Sequence, residues 1–503
     1  MKDTAIRIPE DRPLLIINED NDHYFNLPSE LMTEQALRAY VDDIAQGGHV
    51  THLFLCPFGQ RPSYASGVCE PIWAGMEEPD MNNRTHNIWC VNAKLLHDRG
   101  LDPYKVWIAR CREKDTSPWL SIRMNDVHFI TTKNYFRTCN FWREHPELRR
   151  DTGECKPNVE WERYAFDYSK EPVRQFHFAI FRELVDRYEP DGVELDWMRF
   201  TRHLTPGRER EQAHFITEFI RDCRQYANAV AKRCGHPISL SVRVPTRPEM
   251  AFCLGFSPVE WAAEGLVDLI VATNFFGTND FAIPMAEWDR RIGEVAPEVI
   301  VLPGATDRIM PSPQCPPNEM GIEYFRAWGD LMYSFGAKGL YLFNEPYLVK
   351  ESRDEIYSMG MTRERLAKAR RRFPLTFNDV AAFPEMAEVQ LPKSTSQESH
   401  LKIHLSNVRE DSAIAILLGF KEEDARLPAA AVSLNGIEAQ GTPEPYGNTR
   451  ELHVAEFCKS ALLFRIPAIA ARNGVNYVGI AKTKGVPVTL TWVEIDIDGT
   501  ISN

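Results

Sequence analysis

The sequence predicts an α/β fold, a (β/α)8 TIM-like barrel followed by a C-terminal all-β sandwich of jelly-roll type. Three observations carry that expectation. Short apolar runs alternate with amphipathic helical stretches up to about residue 350, the pattern of a parallel sheet wound with helices. Eight such runs can be counted, the number a closed barrel requires. After Phe373 the helical period gives way to short alternating runs separated by Gly, Asn and Pro turns. At 503 residues the chain has room for both parts, a barrel over 1–375 and a sandwich over 376–503.

In order, the barrel strand candidates are Leu14–Asn18, Val50–Cys56, Trp119–Arg123, Gly192–Trp197, Ile238–Val242, Leu269–Thr273, Val299–Leu302 and Gly339–Phe343. The helices between them have readable starts. Asp102-Pro103 opens one, and Glu171–Tyr188 forms another with Val173, Phe176, Ile180 and Leu184 on one stripe, Pro172 in the first turn and Ser169 as cap. A doubly wound open sheet is disfavoured, because no Gly-x-Gly-x-x-Gly follows the first strand. The third strand leads into a long loop, 129–169, rich in aromatic and charged residues, the character of a lid or substrate-binding element. The sandwich runs are Leu401–Leu405, Ala413–Leu418, Ala431–Leu434, Leu462–Ile466, Asn476–Ala481 and Val488–Ile495.

Composition narrows the function classes. A net charge of −13 argues against nucleic acid or an anionic membrane as the main partner, and no apolar run approaches the roughly 20 residues of a membrane span. The charged N-terminus lacks a secretory pattern, and the 11 cysteines are odd in number with no Cys-x-x-Cys pair. Reduced thiols and a cytoplasmic setting are the expectation, with a processed secreted form kept open. Apolar positions Phe252, Phe256 and Trp261 after strand five are candidates for a homodimer interface. No His-Glu-x-x-His or close His/Cys pairing suggests zinc, and Asp20-Asn21-Asp22 lacks the Gly and terminal Glu of a calcium loop, so neither metal nor cofactor is expected.

Chemistry concentrates where the strands end. The third strand breaks into Arg123, Asn125, Asp126 and His128, placing titratable groups on the lip where barrels do their chemistry. The first ends in Glu19-Asp20-Asn21-Asp22-His23, and the fourth carries Glu194 and Asp196 two apart, hence on one face. Arg123, Arg199, Arg202, Arg243, Arg247 and Arg308 all fall at or just past strand ends. Arginines converging on one lip suit an anionic ligand, because the guanidinium fork matches a carboxylate. Carboxylates, an imidazole and a long aromatic loop point to glycoside hydrolysis. With an acidic sugar, histidine is the better proton donor, since a carboxylic acid would sit beside the substrate's own carboxylate.

An Asn/Asp-rich end to strand one, Arg123-x-x-x-x-His128 after strand three, Glu-Leu-Asp-Trp-Met-Arg over 194–199 and Asn344 after strand eight together resemble glycoside hydrolase family 156, the inverting exo-sialidases. The strand-four phrase is similar to a wider set of barrel hydrolases as well. The resemblance implies His128 as Brønsted acid and a strand-one aspartate as base, Asp20 before Asp22. It implies Arg123 and a second arginine, Arg199 before Arg202, on the sialic acid carboxylate, with Asn344 as the amide. Asn125, Asp196 and Glu345 join the substrate-binding side of the lip, and a sialylated glycan is the expected partner. Two other readings stay open: a retaining glycosidase with Asp196 as nucleophile and Glu345 or Asp280 as acid, and a non-catalytic carbohydrate-binding barrel.

Overall fold

The computed structural model describes residues 6, 8–20, 22–75, 84–132, 135–150, 160–274, 277–344, 349–378, 387–447, 457–483 and 485–498. Eight parallel strands close into a barrel: β1 (Leu14–Glu19), β2 (His52–Phe58), β3 (Ser117–Arg123), β4 (Gly192–Asp196), β5 (Ser239–Pro245), β6 (Leu269–Thr273), β7 (Ile300–Ala305) and β8 (Gly339–Phe343). Each strand pairs with its sequence neighbours, and β8 returns to β1 with Leu14 opposite Gly339.

The strand sequences are apolar on both faces because each face is covered. Leu15, Ile17, Val193 and Leu195 point outward into the helix layer, while Leu14, Ile16, Phe54, Trp119 and Val271 fill the barrel floor. Trp119 stacks on Phe54 with ring centroids 4.7 Å apart. Its indole also fixes the identity of Gly192 on the next strand: a Cβ there would lie 2.4 Å from the ring. A large residue on one strand is therefore matched by no side chain on its neighbour.

The helix Pro103–Glu113 starts as the sequence predicts, with Asp102 accepting a 3.4 Å bond from the Lys105 amide. In the helix Glu171–Tyr188 the cap position belongs to Lys170, not Ser169. Ser169 is engaged elsewhere, its amide bound to Asp167 Oδ1 at 2.9 Å and its hydroxyl to Thr205 at 3.2 Å.

Beyond the barrel, two antiparallel sheets form the β-rich C-terminal part. One contains Arg371–Pro374, Thr489–Ile497, Ile414–Phe420, Ser460–Ile466 and Gln440–Pro445 in that order; the other contains Ser399–Leu405, Gly474–Ile480, Val432–Leu434 and Ile437–Glu438. Buried polar bonds join them to the barrel helix Ile322–Ser334. Its Asp330 accepts from Arg371 Nη1 at 2.5 Å, Ser406 Oγ at 2.6 Å and Asn407 Nδ2 at 2.6 Å, and its Tyr324 donates to Glu494 at 2.8 Å. A buried aspartate with three donors is satisfied in this geometry alone, so the joint has one register.

The three residues offered for a dimer interface do not form one exposed patch. Phe252 is 55% exposed, but Phe256 and Trp261 are fully buried in the barrel core. No helix among the described residues is long and apolar enough to cross a membrane.

Substituting Gly192→Ala forces the methyl into the Trp119 ring and is expected to cost about 1–3 kcal/mol, the usual range for overpacking a filled core. Urea unfolding followed by tryptophan fluorescence measures it. An unchanged midpoint contradicts the tight fit of Trp119.

Candidate active site

The site is organised by Asp126, three residues beyond the end of β3. Its buried carboxylate receives Arg123 Nη1 at 2.7 Å and Arg137 Nη2 at 2.6 Å on Oδ2, and the His128 imidazole Nδ1 at 2.6 Å with the His128 amide at 3.2 Å on Oδ1. Burial alone would raise this carboxyl; Arg137, His128 and Arg123 override it and hold the group well below the usual carboxylate range. Arg123 turns its other nitrogen, Nη2, to Asp20 at the end of β1. Burial, reinforced by repulsion from Arg199, pulls this guanidinium down to about 9, so it stays charged at neutral pH.

His128 is held in one tautomer. With Nδ1 donating to Asp126, Nε2 is the acceptor nitrogen and takes a 3.3 Å bond from Arg199 Nη2. Phe200 packs edge-on at 4.7 Å between ring centroids. Burial pushes the imidazole down to about 3, opposed by Asp126 and reinforced by Arg137 and Arg199. Burial thus favours the neutral ring over the imidazolium. Phe129, Phe200 and Asn344, all at the lip, take left-handed backbone with φ of 49°, 58° and 61°. For bulky residues that conformation costs of the order of 1 kcal/mol, a price borne mainly at working sites.

These groups surround a cavity of about 180 Å³ lined by Asp20, Asp22, His128, Arg137, Arg199, Thr306, Asp307, Arg308, Phe343 and Asn344. The barrel order divides them into two facing arcs. Strands β3 and β4 supply His128, Arg137 and Arg199; β1, β8 and β7 supply Asp20 and Asp22, Asn344, and Thr306 to Arg308. The first wall is cationic, and the second carries the carboxylates together with Arg308. Burial raises the Asp307 carboxyl above the usual range, against Arg308 beside it.

Beneath the cavity lies a second polar layer. Asp196 pairs with Arg243 at 2.7 Å and takes the Met198 amide at 2.9 Å on its other oxygen. Glu194 accepts from Asn18 at 3.1 Å, Ser121 at 2.8 Å and Tyr341 at 2.8 Å, and burial lifts it to about 7. Both carboxylates face the barrel axis, as the strand period requires.

The structure thus gathers Asp20, Asp22, His128, Arg199 and Asn344 around one cavity. It sends other candidates elsewhere. Arg202 pairs with Glu162 at 2.9 Å and Glu209 at 3.7 Å, because the backbone reverses at Phe200. Asn125 spends its carboxamide on the Phe166 amide at 2.8 Å and on His203 at 2.9 Å, so it braces the long loop and does not face the cavity. Asp196 is enclosed below the site, and Arg123 lies among carboxylates behind the cavity wall. Asp280 is bound to Arg247 and lines a separate cleft against the sandwich. Glu345 falls outside the described residues. Two charged cavity residues were not singled out from sequence as site residues: Arg137, which no spacing marks, and Asp307, two residues past the end of β7.

No family model and no curated protein matches the chain. Among solved structures it is similar to a cycloisomaltooligosaccharide glucanotransferase from Paenibacillus sp. at 9% identity over 95% of this chain and 57% of that one, with a TM-score of 0.36. A GH36 α-galactosidase from Geobacillus stearothermophilus matches at 13% identity over 96% of this chain and 55% of that one, with a TM-score of 0.33. A family 18 N-acetylglucosaminidase from Paenibacillus barengoltzii matches at 11% identity over 69% of this chain and 99% of its own, with a TM-score of 0.39. The chain spans just over half the length of the first two. At these scores the likeness carries no argument about substrate.

The partly buried imidazole can be checked directly. In the ligand-free protein the His128 side-chain NMR shifts are expected to keep their neutral-form values from pH 8 down to about 4.5, because the ring titrates near 3. The unfolded chain binds that proton near 6.5, so this group withdraws stability as pH falls from about 6.5 toward 3. A His128 midpoint near 6.5 contradicts the geometry.

Proposed function

We propose that this protein is a glycoside hydrolase that removes a terminal sialic acid by a single inverting displacement, with His128 as proton donor and Asp20 as base. The observation that carries the reading is the cavity itself: His128, Arg199, Asp20 and Asn344 line it together, although the four come from four strand ends. An inverting reaction needs an acid and a base on opposite faces of the sugar, with room between them for water. The cationic wall of Arg137 and Arg199 is where a substrate carboxylate fits. Arg123 serves from behind, orienting Asp20 and Asp126 through its two terminal nitrogens.

An anionic substrate also resolves the protonation of His128. A proton donor must hold a proton near the working pH, yet burial lowers the proton affinity of this ring. A carboxylate about 4 Å away at an effective dielectric near 20 is worth about 4 kcal/mol to the imidazolium, roughly a thousandfold in proton affinity. That returns the ring toward its ordinary range. A neutral sugar supplies no such charge. The retaining alternative is poorly supported, since Asp196 has both oxygens occupied beneath the cavity and Asp280 opens on another cleft.

Assay of aryl sialosides, uronides and neutral aryl glycosides side by side tests the reading. Turnover of sialosides with inverted first-formed product by NMR is expected, with His128→Ala and Asp20→Asn each lowering kcat by about 10²–10⁴-fold. Retention of configuration, or turnover confined to neutral glycosides, overturns it. Arg199→Met is expected to raise KM for sialosides at least tenfold, the loss of one charge-assisted contact of about 1.5–3 kcal/mol.

A further inference from the structure

The reaction just described makes no use of the aromatic ring next to its proton donor. Phe129 follows His128 directly in the chain and is 60% exposed. A single exposed apolar side chain is ordinary on a protein surface. Three features set this one apart.

The backbone of Phe129 is left-handed, with φ of 49°, where Gly or Asn sits easily and a bulky residue is strained. The turn around it is built to push the side chain outward. Val127 and Ile130 on either side are buried, the Ile130 amide bonds to the Val127 carbonyl at 3.3 Å, and the Thr132 amide bonds to the Phe129 carbonyl at 2.8 Å. The ring is also backed by others. Phe129 meets Tyr135 at 5.4 Å between ring centroids, Tyr135 meets Phe136 at 4.8 Å, and Phe136 meets Trp89 edge-on at 5.7 Å. This stack returns to the cavity through Arg137, which lines it: the guanidinium lies 5.1 Å over the Trp89 ring and stands beside the Tyr135 hydroxyl. Phe129 is thus tied to the cavity rim twice, by the peptide bond to His128 and by the aromatic stack to Arg137.

We propose that Phe129 is the platform of a leaving-group subsite, on which the first sugar of the aglycone stacks, so that the substrate is an acidic sugar linked to a pyranose and not to a non-sugar alcohol. This rests on the sialoside hydrolysis proposed above. In that reaction the departing oxygen takes its proton from His128, so the group it carries leaves on the His128 side of the cavity. Phe129 is the next residue along the chain. A pyranose presents a face of C–H bonds with partial positive charge, which complements the negative π face of a phenyl ring, while its hydroxyls stay in water around the edge. A ring already held by its turn and its neighbours loses little freedom when the sugar arrives. Phe129 makes and breaks no bond; it selects the leaving group and holds it in line with His128.

The test uses the full chain and a sialyl-hexoside. Phe129→Asn suits the left-handed backbone and removes the ring, whereas Phe129→Tyr keeps the ring. Phe129→Asn is expected to lower kcat/KM on the sialyl-hexoside by about tenfold or more. Inhibition by free sialic acid, which has no leaving group, is expected to change less than about twofold in the same variant. Phe129→Tyr is expected to recover at least about a third of the wild-type kcat/KM. Four results overturn the inference alone: a smaller fall than this in Phe129→Asn, a parallel weakening of sialic acid inhibition, a Phe129→Tyr variant as impaired as Phe129→Asn, or a wild type that cleaves aryl sialosides but no sialyl-hexoside. Failure of the wild type to hydrolyse any sialoside overturns the parent reading and this one with it.

Discussion

The site depends on one buried anion. Asp126 is enclosed, and burying a carboxylate is tolerable only because three side chains and an amide converge on it. The same contacts do the positioning. Arg123 is fixed, and through it Asp20 on another strand; Arg137 is drawn from the long loop to the cavity; His128 is confined to the tautomer that presents Nε2. Stranding such a charge by removing its partners costs about 3–5 kcal/mol, so the arrangement cannot relax piecemeal.

The barrel converts this local arrangement into a two-walled cavity. Parallel closure brings the chain out at the same end eight times, and strands distant in sequence become opposite walls. Below the mouth, the Asp196–Arg243 pair and the neutral donors around Glu194 form a polar floor above the apolar plug of Trp119 and Phe54. Asp196 and Glu194 are therefore separated in role by one turn of the pleat: the first is an ion pair under the cavity, the second a carboxyl that burial holds near protonation at neutral pH.

Much of the barrel was legible because buried parallel strands are long apolar runs bounded by turns. Leu269–Thr273 and Gly339–Phe343 coincide with their sequence readings, and the other strands differ by a few residues at their ends. Arg371–Pro374 was not read as a strand, since two arginines interrupt its apolar character; both are buried by ion pairs with Asp330 and Glu494, contacts no periodicity encodes. The site was legible where a strand end delivers the residue, as with Asp20, His128 and Asn344. It was not where the backbone leaves the strand period. Alternation puts Asn125 on the face of Arg123, but β3 ends at Arg123 and the carboxamide turns to the long loop. Arg199 and Arg202 look equivalent in sequence until the left-handed Phe200 sends them apart. Arg137 arrives from a loop whose path tertiary contacts alone decide.

The charges of the site discriminate among ligands by their separation more than by their sum. Arg123, Arg137, Arg199 and Arg308 stand against Asp20, Asp22, Asp126 and Asp307, four of each sign, so the region as a whole has little net field. Local placement decides instead. Asp126 is spent inside the cationic wall, which leaves Arg137 and Arg199 facing the cavity; Asp20, Asp22 and Asp307 remain together opposite. A neutral sugar gains little from such a cavity and must displace water from both walls. A dicarboxylate satisfies one wall and is repelled by the other. A monoanion whose far side carries hydroxyl donors complements both, because carboxylates accept from hydroxyls as readily as guanidinium groups donate to an acid. Sugar acids have that form.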